Sequence, residues 1–316
     1  MIAARSRRPR RGFALLAALA LLTLTSLLAL ETSVAARATR RSAANAVEQG
    51  AGRAVAIGGL EDARTRLLRA LIAAGQAGQL AGDPWAPMTA LGVEPVRLGE
   101  LRYDVVMRDL GESLNLNLAT EEQLRRFLVA LRVDGGRADR VAQAILDWRD
   151  GDDLHRSRGA ERADYLRAGS PVLPANAPFP DVATVRHVAG VGDALYVVMR
   201  PYLTVVGSGR VNLNRAAPPV LITLPGMTSE SVALLMRHRR RGGLRNLNSF
   251  AQELSFGARR RLLEALPALV DASVLDTQEL HVTSIASTLD GVERARGEAL
   301  MVKDNGVRVA WRRISP

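Results

Sequence analysis

The chain has 316 residues, no cysteine and a formal charge of +11, with 47% apolar and 24% charged side chains. That balance belongs to a folded polypeptide and excludes a disordered one, and the lack of cysteine excludes a disulfide framework and a thiolate metal site. Five of the positive charges are Arg5, Arg7, Arg8, Arg10 and Arg11, without which the surplus falls from +11 to +6. So modest an excess disfavours nucleic acid as the main partner.

Immediately after those arginines comes Gly12-Phe13, and residues 13–30 contain no charge, proline or glycine. Eighteen residues at helical rise span about 27 Å, close to the thickness of a bilayer's hydrocarbon core. The arginines would hold the N-terminus in the cytoplasm and send the bulk of the chain across. Three readings fit this border. A secretory signal peptide would be cut near Val34-Ala35-Ala36. An uncleaved single-pass anchor would stay whole. A type IV pilin-like leader would be cut between Gly12 and Phe13. The last is favoured because residues 31–69 continue as an uninterrupted amphipathic helical pattern without proline, which a discarded signal peptide has no reason to enter.

Residues 75–95 are rich in glycine, proline and alanine and read as a loop. Residues 101–107 have the β-branched and aromatic content of a strand, as do 281–287. Residues 299–303 and 307–311 form a hairpin around Asp304-Asn305-Gly306, since Asn-Gly tolerates the positive φ of a tight turn. Between the flanking strands lie about 160 residues of short helical segments. The expected fold is α+β: a long N-terminal helix, membrane-spanning at its start, packed on a small antiparallel sheet that carries a large all-α insertion.

The insertion contains an internal repeat. Leu114-Asn115-Leu116-Asn117 recurs 97 residues later as Val211-Asn212-Leu213-Asn214. Thr120 with Gln123 predicts a capping box, and Pro218 suits a first helical position. Glycine turns at 188–192 and 224–227 suggest helix–hairpin–helix units. Arg237-His238-Arg239-Arg240-Arg241 follows the second turn, which opens a rival reading, a membrane-anchored DNA-binding or uptake protein. Against it, no aromatic residue interleaves with the basic run, and cations at a helix C-terminus are favourable in their own right.

No catalytic constellation is present. The histidines at 155, 187, 238 and 281 lack zinc spacing, and neither a Gly-x-Ser-x-Gly elbow nor a phosphate-cradling glycine loop occurs. An enzyme is not expected. The distinctive chemistry is a run of carboxylates at Asp147, Asp150, Asp152 and Asp153, continued by Glu161 and Asp164. Hard oxygen ligands on a loop suit Ca²⁺, though the spacing is not that of an EF-hand. The alternative is that Asp150 and Asp153 cap turns while Arg149, Arg156 and Arg158 neutralise the remainder.

The chain resembles the general secretion pathway protein K family, the large minor pseudopilins of type II secretion systems. The resemblance rests on Gly12-Phe13, the paired Asn-x-Asn repeats, and above all Ala144-Ile145-Leu146-Asp147-Trp148-Arg149-Asp150-Gly151-Asp152-Asp153 with Gly159-Ala160-Glu161 and Asp164-Tyr165. Ala175-Asn176-Ala177-Pro178-Phe179 and Pro201-Tyr202-Leu203 add to it. It implies a leader at 1–12, cleavage after Gly12 by a prepilin peptidase and N-methylation of Phe13. A membrane segment at 13–34, a stalk with first strands at 35–113, an inserted helical domain at 114–271 and closing strands at 272–316 would follow. The resemblance also implies a single-pass inner-membrane protein with a periplasmic bulk, other minor pseudopilins and the inner-membrane assembly platform as partners, and bound calcium. Ala17 stands where most pilins carry glutamate. A subunit without that carboxylate has no counter-charge for the amine of a subunit above it, which suits the tip of a fibre.

Overall fold

The computed structural model describes residues 11–77 and 82–316, so most of the basic leader expected at 1–12 lies outside the described residues. The first element is α1, Arg11–Ala77, a single helix of 67 residues. From Leu15 to Gly50 nearly every residue is exposed, and a buried face begins only at Gly52. At helical rise the free part projects about 55 Å. The helix is long and apolar enough near its start to cross a membrane, and leucines such as Leu16 and Leu22 are more than 60% exposed there. In water that surface would be unfavourable; in hydrocarbon it is the matching solvent.

The segment expected as a loop at 75–95 is regular at several of its described residues, beginning with the last turn of α1. It contains α2, Ala86–Leu91, and a first strand β1, Val93–Leu98. Proline and glycine suggested irregularity, but β1 is a sheet edge, where Pro95 forfeits no essential ladder bond. Trp85 is fully buried and its indole Nε1 donates to the Leu67 carbonyl of α1 at 3.2 Å, pinning this segment beneath the helix. β2, Leu101–Asp109, then leads out of the sheet.

The chain returns in β7, Glu279–Thr288, β8, Glu293–Lys303, and β9, Val307–Ser315. The five strands run in the order β1-β2-β7-β8-β9, and every neighbouring pair is antiparallel. The β8–β9 turn has Asn305 at φ 46°, as Asn-Gly demands. Period-two alternation puts Tyr103, Val105, Met107, Leu280, Val282, Ala299 and Met301 on one face, packed on Leu60, Ala63 and Leu67 of α1.

Small residues let helix and sheet approach. Gly52, Ala56, Gly59 and Ala63 share one face of α1 by their 4-3-4 spacing. A Cβ at Gly59 would stand 2.2 Å from Ser284 Oγ and 2.9 Å from the Tyr103 ring, and one at Gly52 2.8 Å from Arg294 Cβ. Tyr103 is further tied to the helix by its hydroxyl, which donates to Asp62 at 3.1 Å.

Between β2 and β7 the chain forms two structurally related halves. The first holds β3 (Leu114–Asn115), α3 (Glu121–Ala130), α4 (Gly135–Arg149), α5 (Arg162–Arg167), α6 (Gly192–Met199) and β4 (Leu203–Thr204). The second holds β5 (Val211–Asn212), α7 (Pro218–Leu221), α8 (Ser229–Arg239), α9 (Leu247–Gln252), α10 (Phe256–Glu264), α11 (Leu266–Ala272) and β6 (Ser273–Val274). In each half the opening strand pairs in parallel with the closing one, β3 with β4 and β5 with β6. The Thr120–Gln123 capping box forms, and Pro218 opens α7.

The repeated asparagines do equivalent work. Asn117 accepts from Phe179 N and donates to the Phe179 and Val205 carbonyls. Asn214 accepts from Leu244 N and donates to the Leu244 and Leu275 carbonyls. The last arginine of the second long helix also matches. Arg149 donates to the Leu116 and Ala119 carbonyls, and Arg239 to the Leu213 carbonyl. One pairing of turns drawn from the sequence is corrected. The counterpart of 224–227 is the α3–α4 turn, not 188–192. There the positive φ is carried by Arg132 (67°), while the Asp134-Gly135-Gly136 signal in the sequence marks the start of α4.

Replacing Gly59 by leucine forces a branched side chain into the helix–sheet contact, and overpacking of this kind costs about 1–3 kcal/mol. Thermal unfolding of the detergent-solubilised protein should fall accordingly, while Gly58→Leu, where nothing lies within 4 Å of a Cβ, should leave the midpoint nearly unchanged.

Candidate functional site: the carboxylate loop and the N-terminal helix

The carboxylate loop begins where α4 ends. Asp147 sits in the last turn, fully buried, and Asp150 is the C-cap residue. Trp148, on the same turn, is buried between Phe179, stacked at 6.1 Å, and Tyr165, edge-on at 5.6 Å. The aromatic cluster makes a rigid floor for the loop.

Counter-charge is scarce. Arg156 Nη1 lies 2.5 Å from Asp147 Oδ1 and 2.5 Å from Asp150 Oδ2. The two other arginines expected to neutralise the run are engaged elsewhere. Arg149 clamps carbonyls of the first repeat, and Arg158 pairs with Asp139 at 3.0 Å. One guanidinium therefore faces five carboxylates, those of Asp147, Asp150, Asp152, Asp153 and Glu161.

Of the six acids singled out in the sequence, Asp150, Asp152 and Glu161 come together, with one carboxylate oxygen of each within 4.8 Å of the others. Glu161 is 3% exposed, and neither of its carboxylate oxygens has a hydrogen-bond partner. Burial, followed by the charges of Asp147, Asp150, Asp153 and Asp152, pushes its carboxyl up to about 7. Asp150 Oδ1 is likewise buried without a partner. Asp153 instead accepts from the Asn176 amide at 2.9 Å. Asp164 turns away, accepting from Glu161 N at 3.0 Å and pairing with Arg167 at 2.8 Å.

Asn176 was not singled out as a ligand in the sequence. Its amide nitrogen donates to the Asp152 carbonyl and the Asp153 carboxylate, which leaves its Oδ1 buried and unpartnered beside the acids. Its φ of 47°, uncommon for a side-chain-bearing residue, holds it there. Its place in Ala-Asn-Ala-Pro was the only signal, 23 residues from Asp153. Orphaned buried oxygens cost free energy, and a cluster of them suits a hard cation that would bind them all.

The basic run at 237–241 is not shaped as a phosphate grip. Arg239 folds inward onto the Leu213 carbonyl, and the Gly226 turn is covered by α10. A Cβ at Gly226 would stand 2.8 Å from the Arg261 carbonyl oxygen. The backbone of that turn is not open to a nucleic-acid strand.

Comparison with known proteins follows from this fold. Residues 107–208 match the family model "Type II secretion system (T2SS), protein K". Type II secretion system protein K of Aeromonas hydrophila is 30% identical over 262 residues, 74% of this chain and 76% of that protein. The chain belongs to the type II secretion system protein K family. The protein of that name from Dickeya chrysanthemi is 29% identical over 133 residues, 40% of this chain and 36% of that relative's length. Among solved structures, a chain of the GspK-GspI-GspJ complex of enterotoxigenic Escherichia coli aligns at a TM-score of 0.60 and 19% identity, covering 89% of this chain and 99% of that one. The long helix, the antiparallel sheet and the helical insertion are thus the fold of the protein K family, and the rival DNA-uptake reading is not favoured.

Gly159 lies directly against the Asp147 carboxylate, where a Cβ would stand 1.8 Å from Asp147 Oδ2. Gly159→Ala should displace Asp147 from Arg156 and lower the unfolding midpoint, with a cost of about 1–3 kcal/mol. Chemical denaturation of wild type and variant under one buffer checks this.

Proposed function

We propose that this protein is a minor pseudopilin at the tip of a periplasmic pseudopilus, where it starts assembly with other minor pseudopilins. The observation that carries the reading is α1, which from Leu15 to Gly50 stands clear of the body as an exposed helix, apolar at its start and then amphipathic. Such a helix has two uses in one element: a bilayer anchor before assembly and a packing surface afterwards. Ala35, Ala36, Ala43 and Ala44 are exposed on it, and small residues allow close approach of a partner helix. A complex with two further proteins, GspI and GspJ, is what the solved relative forms. By analogy, other minor pseudopilins would pack on this stalk.

Processing would be a cut between Gly12 and Phe13 by a prepilin peptidase, followed by N-methylation of Phe13. The new amine would lie at the membrane's inner side, with the body in the periplasm and an inner-membrane assembly platform below. Ala17 is exposed on α1 and offers no carboxylate to an amine above it. An unpaired charge in hydrocarbon costs roughly 2.5–3.5 kcal/mol, so a subunit with alanine here belongs where nothing sits above. The bulk of the helical insertion would obstruct lateral packing in a shaft but not at its end.

Gly12→Val should leave membrane insertion intact and block both processing and secretion. Intact mass of the membrane-extracted protein checks this: appearance of a mature Phe13 N-terminus in the variant would overturn the leader assignment. Wild type should begin at N-methylated Phe13 rather than beyond residue 34.

The carboxylate loop fits a structural Ca²⁺ held by Asp150, Asp152 and Glu161, with Asn176 Oδ1 as a neutral oxygen. The ion would supply the positive charge that Arg156 alone does not, and lock the α4–α5 connection to the 175–179 segment. At calcium a hundredfold above its dissociation constant the linkage stabilises by about 2.7 kcal/mol. Melting of the whole mature protein should therefore move upward with calcium and back with chelator, and Glu161→Gln should remove the shift. An unchanged wild-type midpoint would rule the ion out.

A further inference from the structure

The two halves of the helical insertion share a framework but not a charge. Residues 110–208 hold 12 arginines against 13 acids, whereas 209–276 hold 10 arginines against 5 acids. The second half therefore carries +5 of the +6 that remains once the five N-terminal arginines are set aside. Evenly spread, such a surplus would only aid solubility. Here it is concentrated where the first half has its carboxylate loop.

The positions correspond through the framework. After Arg149 the first half continues Asp150-Gly151-Asp152-Asp153; after Arg239 the second continues Arg240-Arg241-Gly242-Gly243. The first loop supplies an internal counter-ion in Arg156. The second supplies none. Among the described residues, Arg240, Arg241 and Arg245 have no carboxylate within ion-pair distance, and all three are exposed.

This basic loop is also rigid. Arg239 fastens its start to the Leu213 carbonyl, and Asn214 fastens Leu244 at both N–H and carbonyl. Between them Gly242 (φ 105°) and Gly243 (φ 91°) take the left-handed backbone that closes the turn. Beside it opens a cleft of about 450 Å3 lined by Arg215, Arg239 and Arg245 together with Asp83 and Asp276. Arg215 is held by Glu112 and Arg239 by the Leu213 carbonyl, which leaves Arg245 as its uncommitted guanidinium. A backbone fastened at both ends has less freedom to lose when a partner arrives, which favours binding.

We propose that the 240–245 loop and its cleft form a docking site for an acidic polypeptide segment of another protein. Exposed guanidinium groups match carboxylates in geometry as well as charge. The two aspartates lining the cleft argue for polypeptide over phosphate. A nucleic-acid backbone would bring a uniform negative charge past Asp83 and Asp276, whereas a peptide can set glutamates on the exposed arginines and a backbone N–H on Asp276, which is exposed. The site is separate from α1 and from the carboxylate loop, so its occupation does not depend on the tip assignment.

The test is fluorescence anisotropy of a fluorescein-labelled oligoglutamate peptide against the full mature protein in neutral detergent. Binding should be saturable and salt-sensitive, and R240E/R241E/R245E should weaken it about tenfold or more. A control, R140E/R162E/R200E, reverses three exposed arginines of the first half and should change it less than about twofold. Far-UV circular dichroism and melting confirm folding, and Arg245→Glu alone serves if the triple variant loses its transition. Equal losses in both triple variants, or tighter binding of a short DNA duplex than of the peptide at the same salt, would overturn the proposal.

Discussion

The joint between the helical insertion and the sheet centres on a buried carboxylate. Asp109 closes β2 and is 1% exposed. Its Oδ1 accepts from Gly111 N at 2.9 Å, and its Oδ2 accepts from Asn212 Nδ2 at 2.9 Å and Thr277 Oγ1 at 3.0 Å. Arg215 lies 3.7 Å away and pairs with Glu112 at 2.7 Å. Thus the point where the chain leaves the sheet, the point where it returns and the start of the second half meet at one side chain. Burial pushes the Asp109 carboxyl up, and the three donors pull it back. A buried acid with its lone pairs satisfied specifies an arrangement more than it stabilises one, since removal of a partner leaves an uncompensated charge. Asp83 extends the junction by accepting from Thr277 N at 2.9 Å and Trp85 N at 3.0 Å, and it shares the single Thr277 hydroxyl proton with Asp109, its Oδ2 lying 2.6 Å from Thr277 Oγ1. Helix, sheet and insertion are thereby set in one orientation, and everything proposed for the stalk and the two loops presupposes it.

Within the insertion, a duplicated framework has been put to opposite electrostatic uses. Asn117 and Asn214 each stitch a loop to the closing strand of their own half, and Arg149 and Arg239 each cap carbonyls of the opening motif. With both loop ends fastened, the residues between are free to vary in charge without loss of shape. One loop gathers carboxylates beyond what a single arginine balances, the other gathers arginines with none. Fixed like charges held close together call for an external counter-charge, and the two loops call for opposite ones.

Much of this was legible in the chain. The apolar run, the strand patterns and the Asn-Gly hairpin are local signals set by period and φ, and they appear where expected, each strand lengthened by a few residues. The 75–95 segment was misread because proline and glycine punctuate an edge strand as readily as a loop, and because the burial of Trp85 under α1 is a tertiary matter. The α3–α4 turn was missed although Gly135-Gly136 follows it, since the positive φ falls on Arg132 and those glycines open α4.

What the sequence determined by itself was the anchor, the α+β order, the repeat and the concentration of acids, because each depends on neighbours a few residues apart. Only the tertiary structure decided which acids meet. Asp164 is closer in sequence to Glu161 than Asp150 is, yet it turns to Arg167, while Asn176 arrives from a distant loop with a free oxygen. Likewise the arginines nearest in sequence to the acids do not all neutralise them, since Arg149 and Arg158 find partners elsewhere. Charge count is a property of composition, but charge balance is a property of distance, and distances across a fold are set by packing.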